Sequence, residues 1–141
     1  MKMKKSNVSI DSSCLIAIQA DEKLGNKLTN LLKKEWKAYT TEIAILETFY
    51  ILCRKSSWKD AKTKTHALRE SNIIRIEPIN KYLEYAAKLK CERPIAIADC
   101  LTISLAKSIQ GQAIFYHQER ELKKTLESKP IDVEIIFFKD L

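Results

Sequence analysis

The chain has 141 residues, 45% of them apolar, and 25 Lys and Arg against 18 Asp and Glu, for a net charge of +7. That length and apolar content predict one globular domain over residues 1–141, able to bury well over half of its unfolded surface, and argue against a second domain. No stretch approaches the ~20 apolar residues of a membrane span, and the basic N-terminus runs into Asp11, Ser12 and Ser13 rather than a signal-peptide core, so a cytoplasmic protein is expected.

Short β-like runs alternate with longer helical patterns. A strand is predicted at 7–10, followed by a helix beginning near Ser12; Leu24, Leu28, Leu31 and Leu32 then form an apolar helical stripe. A second strand at 37–40 leads into 41–53, a segment apolar on nearly all faces and therefore predicted to lie centrally under the sheet and other helices. Ser57 and Asp60 form a capping-box pattern ahead of the stripe Trp58, Ala61, Thr65 and Leu68. A third strand falls at 73–76, and Tyr82, Tyr85, Ala86 and Leu89 mark a helix after Pro78. Pro94 marks the start of a second all-round apolar helix over 95–108, and strands at 113–116 and 133–138 complete the series. The alternation predicts an α/β fold: a parallel sheet with helices on both faces, which places ligands beyond the carboxyl ends of the strands.

Composition removes several chemistries. With only Gly25 and Gly111 the chain builds no glycine-rich phosphate loop, which disfavours nucleotide-dependent enzymes. Cys14, Cys53, Cys91 and Cys100 show no CxxC spacing, so free, mostly buried thiols are expected rather than a zinc site. His66 and His117 are too few and isolated for two-histidine acid–base catalysis; His66 is expected on a solvent-side helix face. Basic clusters, Lys2/Lys4/Lys5, Lys33/Lys34/Lys37 and Arg54 to Lys64 among them, can attract a polyanion or simply coat solvated helices.

Four acids stand out against this background. Asp11, Glu47, Asp99 and Glu119 each end, interrupt or closely follow an apolar run. A lone carboxylate in such surroundings is costly unless a cation or strong donors replace its lost water. Each has a bland explanation: an N-cap for Asp11, an ion pair to a core Arg or Lys for Glu47, the helix dipole for Asp99, and decoration of a surface helix for Glu119. The alternative is a cation shared by all four. Carboxylates suit hard divalent ions such as Mg²⁺ or Mn²⁺, which can activate water, orient a phosphodiester and offset charge on a leaving oxygen.

Three segments carrying these acids resemble a known family. Val8-Ser9-Ile10-Asp11-Ser12-Ser13, Thr40-Thr41-Glu42-Ile43-Ala44-Ile45-Leu46-Glu47-Thr48 and Ile97-Ala98-Asp99-Cys100-Leu101-Thr102 are similar to the three principal motifs of PIN-domain proteins, particularly VapC-type toxin ribonucleases. The resemblance covers essentially the whole chain, and the order and spacing of the motifs, 36 and then 52 residues, give it its specificity. It implies a three-layer α/β/α sandwich with a central parallel sheet, and an acidic Mg²⁺ or Mn²⁺ site that cleaves single-stranded RNA. It assigns metal-binding and catalytic positions to Asp11, Glu47 and Asp99, with Glu119 as the fourth by register on Leu122 and Glu121 as the fallback. At that fourth position the family often has Thr or Ser, one residue, then Asp, where this chain has His117-Gln118-Glu119. The resemblance further implies a homodimer and an antitoxin protein that inserts into the acidic groove; Phe49, Tyr50 and Trp58 are the aromatic candidates for a partner surface. The competing expectation is a degenerate PIN domain that binds RNA or a protein without cutting. A phosphotransfer receiver is disfavoured, lacking a clear acidic pair and terminal Lys, as is a haloacid-type phosphatase, since Ser13 stands where its second Asp would be.

Overall fold

The computed structural model describes residues 5–141, so Lys2 and Lys4 of the first basic cluster lie outside the described residues. Strands β1 (Ser6–Ile10), β2 (Trp36–Thr41), β3 (Ile74–Glu77), β4 (Gln112–Phe115) and β5 (Ile135–Phe137) form one sheet in the order β3-β2-β1-β4-β5. Every pairing is parallel, with Ser6 opposite Trp36, Ile10 opposite Ile114 and Phe115 opposite Phe137. Helices α1 (Ser12–Ala20) and α2 (Glu22–Lys34) follow β1; α3 (Glu42–Lys55) and α4 (Trp58–Glu70) follow β2; α5 (Leu83–Glu92) and α6 (Ile97–Ser108) follow β3; α7 (Arg120–Ser128) follows β4. Short 3-10 turns at Asn80–Tyr82 and Phe138–Asp140 complete the elements.

Strand alternation sorts side chains between two cores. Val8, Ile10, Ala38, Ile74 and Ile114 pack with Leu15 of α1, Leu28 and Leu32 of α2, and Phe138. On the other face Tyr39, Ala113, Phe115 and Phe137 pack with Ala86 and Leu89 of α5 and Ile103 and Leu105 of α6. Both faces of the sheet are therefore covered, and the protein has the predicted α/β/α sandwich. Ser9, fully buried on the central strand, donates its hydroxyl to the Thr102 carbonyl at 2.8 Å and so ties β1 to α6 without an orphaned polar group.

The two apolar helices differ. An unbroken stretch of α6 from Asp99 to Ala106 is buried, as its composition predicts. Helix α3 is not enclosed: Leu46 is 58% and Tyr50 39% exposed, beside Trp58 at 57% on α4, while Ala44, Ile45, Thr48 and Leu52 face inward. An apolar segment here marks an uncovered surface rather than a central position. All four cysteines are free, with Cys14 and Cys100 buried, Cys53 half-buried and Cys91 exposed, so the expectation of mostly buried thiols is met for only half of them. Among the described residues no helix is long and apolar enough to cross a membrane.

Candidate active site

Reversal of strand order between β1 and β4 opens a crevice at the carboxyl ends of these neighbours, the position where open parallel sheets bind ligands. Asp11 leaves β1 directly into it. Its backbone amide donates to the Ile114 carbonyl at 2.9 Å, holding it to the end of β4. Its side chain is only 4% exposed and caps α1, with Oδ2 accepting from the Ser13 amide at 3.1 Å and Oδ1 from the Thr102 hydroxyl at 3.3 Å. Ser13 Oγ in turn accepts from the Tyr116 amide at 3.2 Å, fixing the chain beyond β4.

The other acids arrive on helices. Thr41 caps α3 by accepting from the Ala44 amide at 3.0 Å, which sets the helix so that half-buried Glu47 faces α1. There its Oε1 accepts from the Ser12 hydroxyl at 2.9 Å. Asp99 lies in the first turn of α6, where the helix dipole favours a negative charge, and is 8% exposed. Thr102, one turn on from Asp99, is the hydroxyl that reaches Asp11. Glu119 is exposed at the N-terminus of α7, as are its neighbours His117 and Glu121. The sequence pattern groups Glu119 with the buried acids, but the apolar run ends inside β4 and leaves it in solvent. His66 is exposed as expected, although its ring also meets Phe49 edge-on at 5.7 Å.

The charges act on one another. Burial, then the charges of Asp11, Glu119 and Glu47, push Asp99 from 3.8 up to about 8. Burial also raises Glu47, aided by Asp11 and Glu119 and opposed by the Ser12 hydrogen bond. Asp11 is raised by burial against the hydrogen bonds of Ser13, Thr102 and Ser12. Glu119, not Glu121, thus figures among the charges felt at the site. Among the described residues none of the four carboxylates has a Lys, Arg or His salt-bridge partner, which removes the ion-pair explanation for Glu47. Nor do three of them converge on a single ion position; Asp11 and Glu47 spend oxygens on the surrounding amide and hydroxyls.

A family model described as PIN domain matches residues 8–127. The chain belongs to the PIN domain family. Solved structures agree in fold. The Mycobacterium tuberculosis toxin VapC20, described as cleaving the sarcin-ricin loop, aligns over 84% of this chain and 94% of its own, with 20% identity and a TM-score of 0.64. VapBC2 from Rickettsia felis, bound to a promoter DNA fragment, aligns over 93% and 98%, with 15% identity and a TM-score of 0.69. VapBC-1 from nontypeable Haemophilus influenzae aligns over 94% and 98%, with 14% identity and a TM-score of 0.66. No curated protein matches the sequence. In this PIN domain the sequence reading misses the hydroxyls of Ser12, Ser13 and Thr102, which orient the acids or the strand end beside them. The signal for Thr102 was its position one helical turn from Asp99, on the same face of a buried helix.

Proposed function

We propose that this PIN domain is a divalent-cation-dependent endoribonuclease acting on single-stranded RNA, and the toxin of a toxin–antitoxin pair in the cytoplasm. The observation that carries this reading is Asp99: a buried carboxylate whose burial and acidic neighbours disfavour ionisation, beside Asp11 and Glu47, with no cationic side chain paired to any of them among the described residues. An all-oxygen donor set of this kind fits a hard ion, and Mg²⁺ or Mn²⁺ would be held by Asp11, Glu47 and Asp99 with Glu119 assisting from the rim. Bound there, the ion supplies Lewis acidity toward the phosphodiester and an attacking water. The chain's own part is to hold the acids. Thr102 and the Ser13 amide fix the orientation of Asp11, Ser12 restrains Glu47, and the buried surroundings of α6 strengthen each charge interaction. No nucleophilic side chain is required.

Cleavage of single-stranded RNA, measured with Mn²⁺ and with EDTA, tests the reading. Wild type should cut only with the ion, and Asp99→Asn should lose at least about a hundredfold in rate; activity surviving both EDTA and the substitution would eliminate it. The non-cutting alternative draws on the exposure of Glu119 and the lack of three convergent ligands. RNA binding without cleavage in Mn²⁺ would select it. For partners, the uncovered Leu46, Tyr50 and Trp58 supply an apolar surface suited to a protein, in keeping with the VapBC complexes whose fold the chain shares.

A further inference from the structure

At the end of the sheet opposite the acids, the N-terminal ends of β1, β2 and β3 and the last turn of α2 enclose a cleft of about 950 Å³. Lys5, Lys33, Lys37 and Arg75 line it beside Trp36, and Asn72, held at a left-handed φ of 56°, lies at its rim. Among the described residues no Asp or Glu lines the cleft, and none of these four cations takes part in a salt bridge. The dipole of α2 accounts for Lys33 in its last turn, but not for cations on the strands. Arg75 pairs in register with Tyr39, so Lys37 and Arg75 stand diagonally on the same face of adjacent strands. Both side chains are exposed, and no acidic residue of the cleft lining stands between them.

We infer that this cleft is a second nucleic-acid site, binding the phosphate backbone of single-stranded RNA away from the acidic crevice. Without an ion the acidic end repels phosphates, whereas this cleft gathers cations with no acidic residue in its lining and can attract a polyanion by itself. Trp36 is buried, leaving the cleft cations rather than an aromatic platform, and such a site reads backbone charge rather than base identity. Naming the polyanion as RNA rests on the nuclease reading; the cleft's anion binding does not.

Fluorescence anisotropy with a labelled RNA of about 20 nucleotides, in EDTA and over a salt series, tests this directly. The side chains of Lys33, Lys37 and Arg75 are exposed and Lys37 lies over the Tyr39 ring at 5.8 Å, so a triple change to Gln removes charge together with that one ring contact. The triple variant should bind at least about tenfold more weakly, with its log Kd against log salt slope reduced by about 2, near 0.7 per lost contact. The charge-conserving set Lys33→Arg, Lys37→Arg and Arg75→Lys should bind like wild type. An unchanged Kd and slope in the Gln variant would overturn the site, as would equal loss in the charge-conserving variant. Polyglutamate displacing RNA at equal charge concentration would overturn RNA as its ligand. Cleft-dependent binding by a wild type that never cleaves in Mn²⁺ would sink the nuclease reading and leave the cleft standing.

Discussion

Asp99 shows most directly what a single residue does here. Its carboxyl, lifted from 3.8 to about 8, holds a proton more tightly in the folded chain than in the unfolded one. The stability this provides is complete below the unfolded value and is lost as pH rises through the folded one. In EDTA, melting temperature should therefore fall between about pH 4 and pH 8, and Asp99→Asn, which cannot ionise, should flatten that fall. Adding Mn²⁺ should raise the wild-type midpoint more at about pH 8 than at about pH 5. A wild-type melting curve indifferent to both pH and ion would contradict this account of the site. Thr102→Val removes the hydroxyl that steadies Asp11 Oδ1, and calorimetry should show Mn²⁺ affinity reduced about tenfold. Asp11, Glu47 and Asp99 were legible in the sequence because charge inside an apolar run is conspicuous. The hydroxyls were not, because Ser and Thr are at home in cores and on surfaces alike, and only the packing of α6 on β1 gives Thr102 its partner.

At the scale of elements, the strands were readable to within about two residues, since each is a short run mostly bounded by polar residues, Pro or Gly. The turn into β4 shows how tightly they are set. Gln110 adopts a left-handed φ of 53°, the Gly111 amide donates to the Ala106 carbonyl at 2.9 Å, and a Cβ on Gly111 would come within 2.1 Å of the Asn7 carbonyl oxygen. Gly111→Ala must push β4 away from the start of β1, and should cost about 2 kcal/mol, lowering Tm by roughly 4–8 °C in a thermal melt. The exposure of α3 was not legible, because a run of apolar residues records a low affinity for water without saying which surface removes it. The exposure of Glu119 was missed for a related reason: the apolar run before it belongs to β4, and the chain has left the sheet by the time it reaches the carboxylate.

Considered whole, the molecule has an acidic crevice, a basic cleft at the other end of the sheet, and an apolar flank. The homodimer that the family resemblance implies is proposed to compete with a partner protein for the exposed flank of Leu46, Tyr50 and Trp58. Light scattering on a sizing column should give twice the chain mass for wild type and one chain mass for Leu46→Glu with Trp58→Glu. A wild type that stays monomeric across the concentration range would remove the homodimer from the reading.

Strand order has one last consequence, for the moment at which the protein is made. β1 leaves the ribosome first, yet it takes the centre of the sheet, between β2 and β4. Its second neighbour is synthesised only after residue 111, and the acids follow the same schedule, with Asp11 and Glu47 early, Asp99 late and Glu119 later still. Nascent chains fold as their segments emerge. A growing chain therefore cannot bring Asp11, Glu47 and Asp99 into one crevice until α6 has been made, and the crevice is among the last features of the fold to be completed.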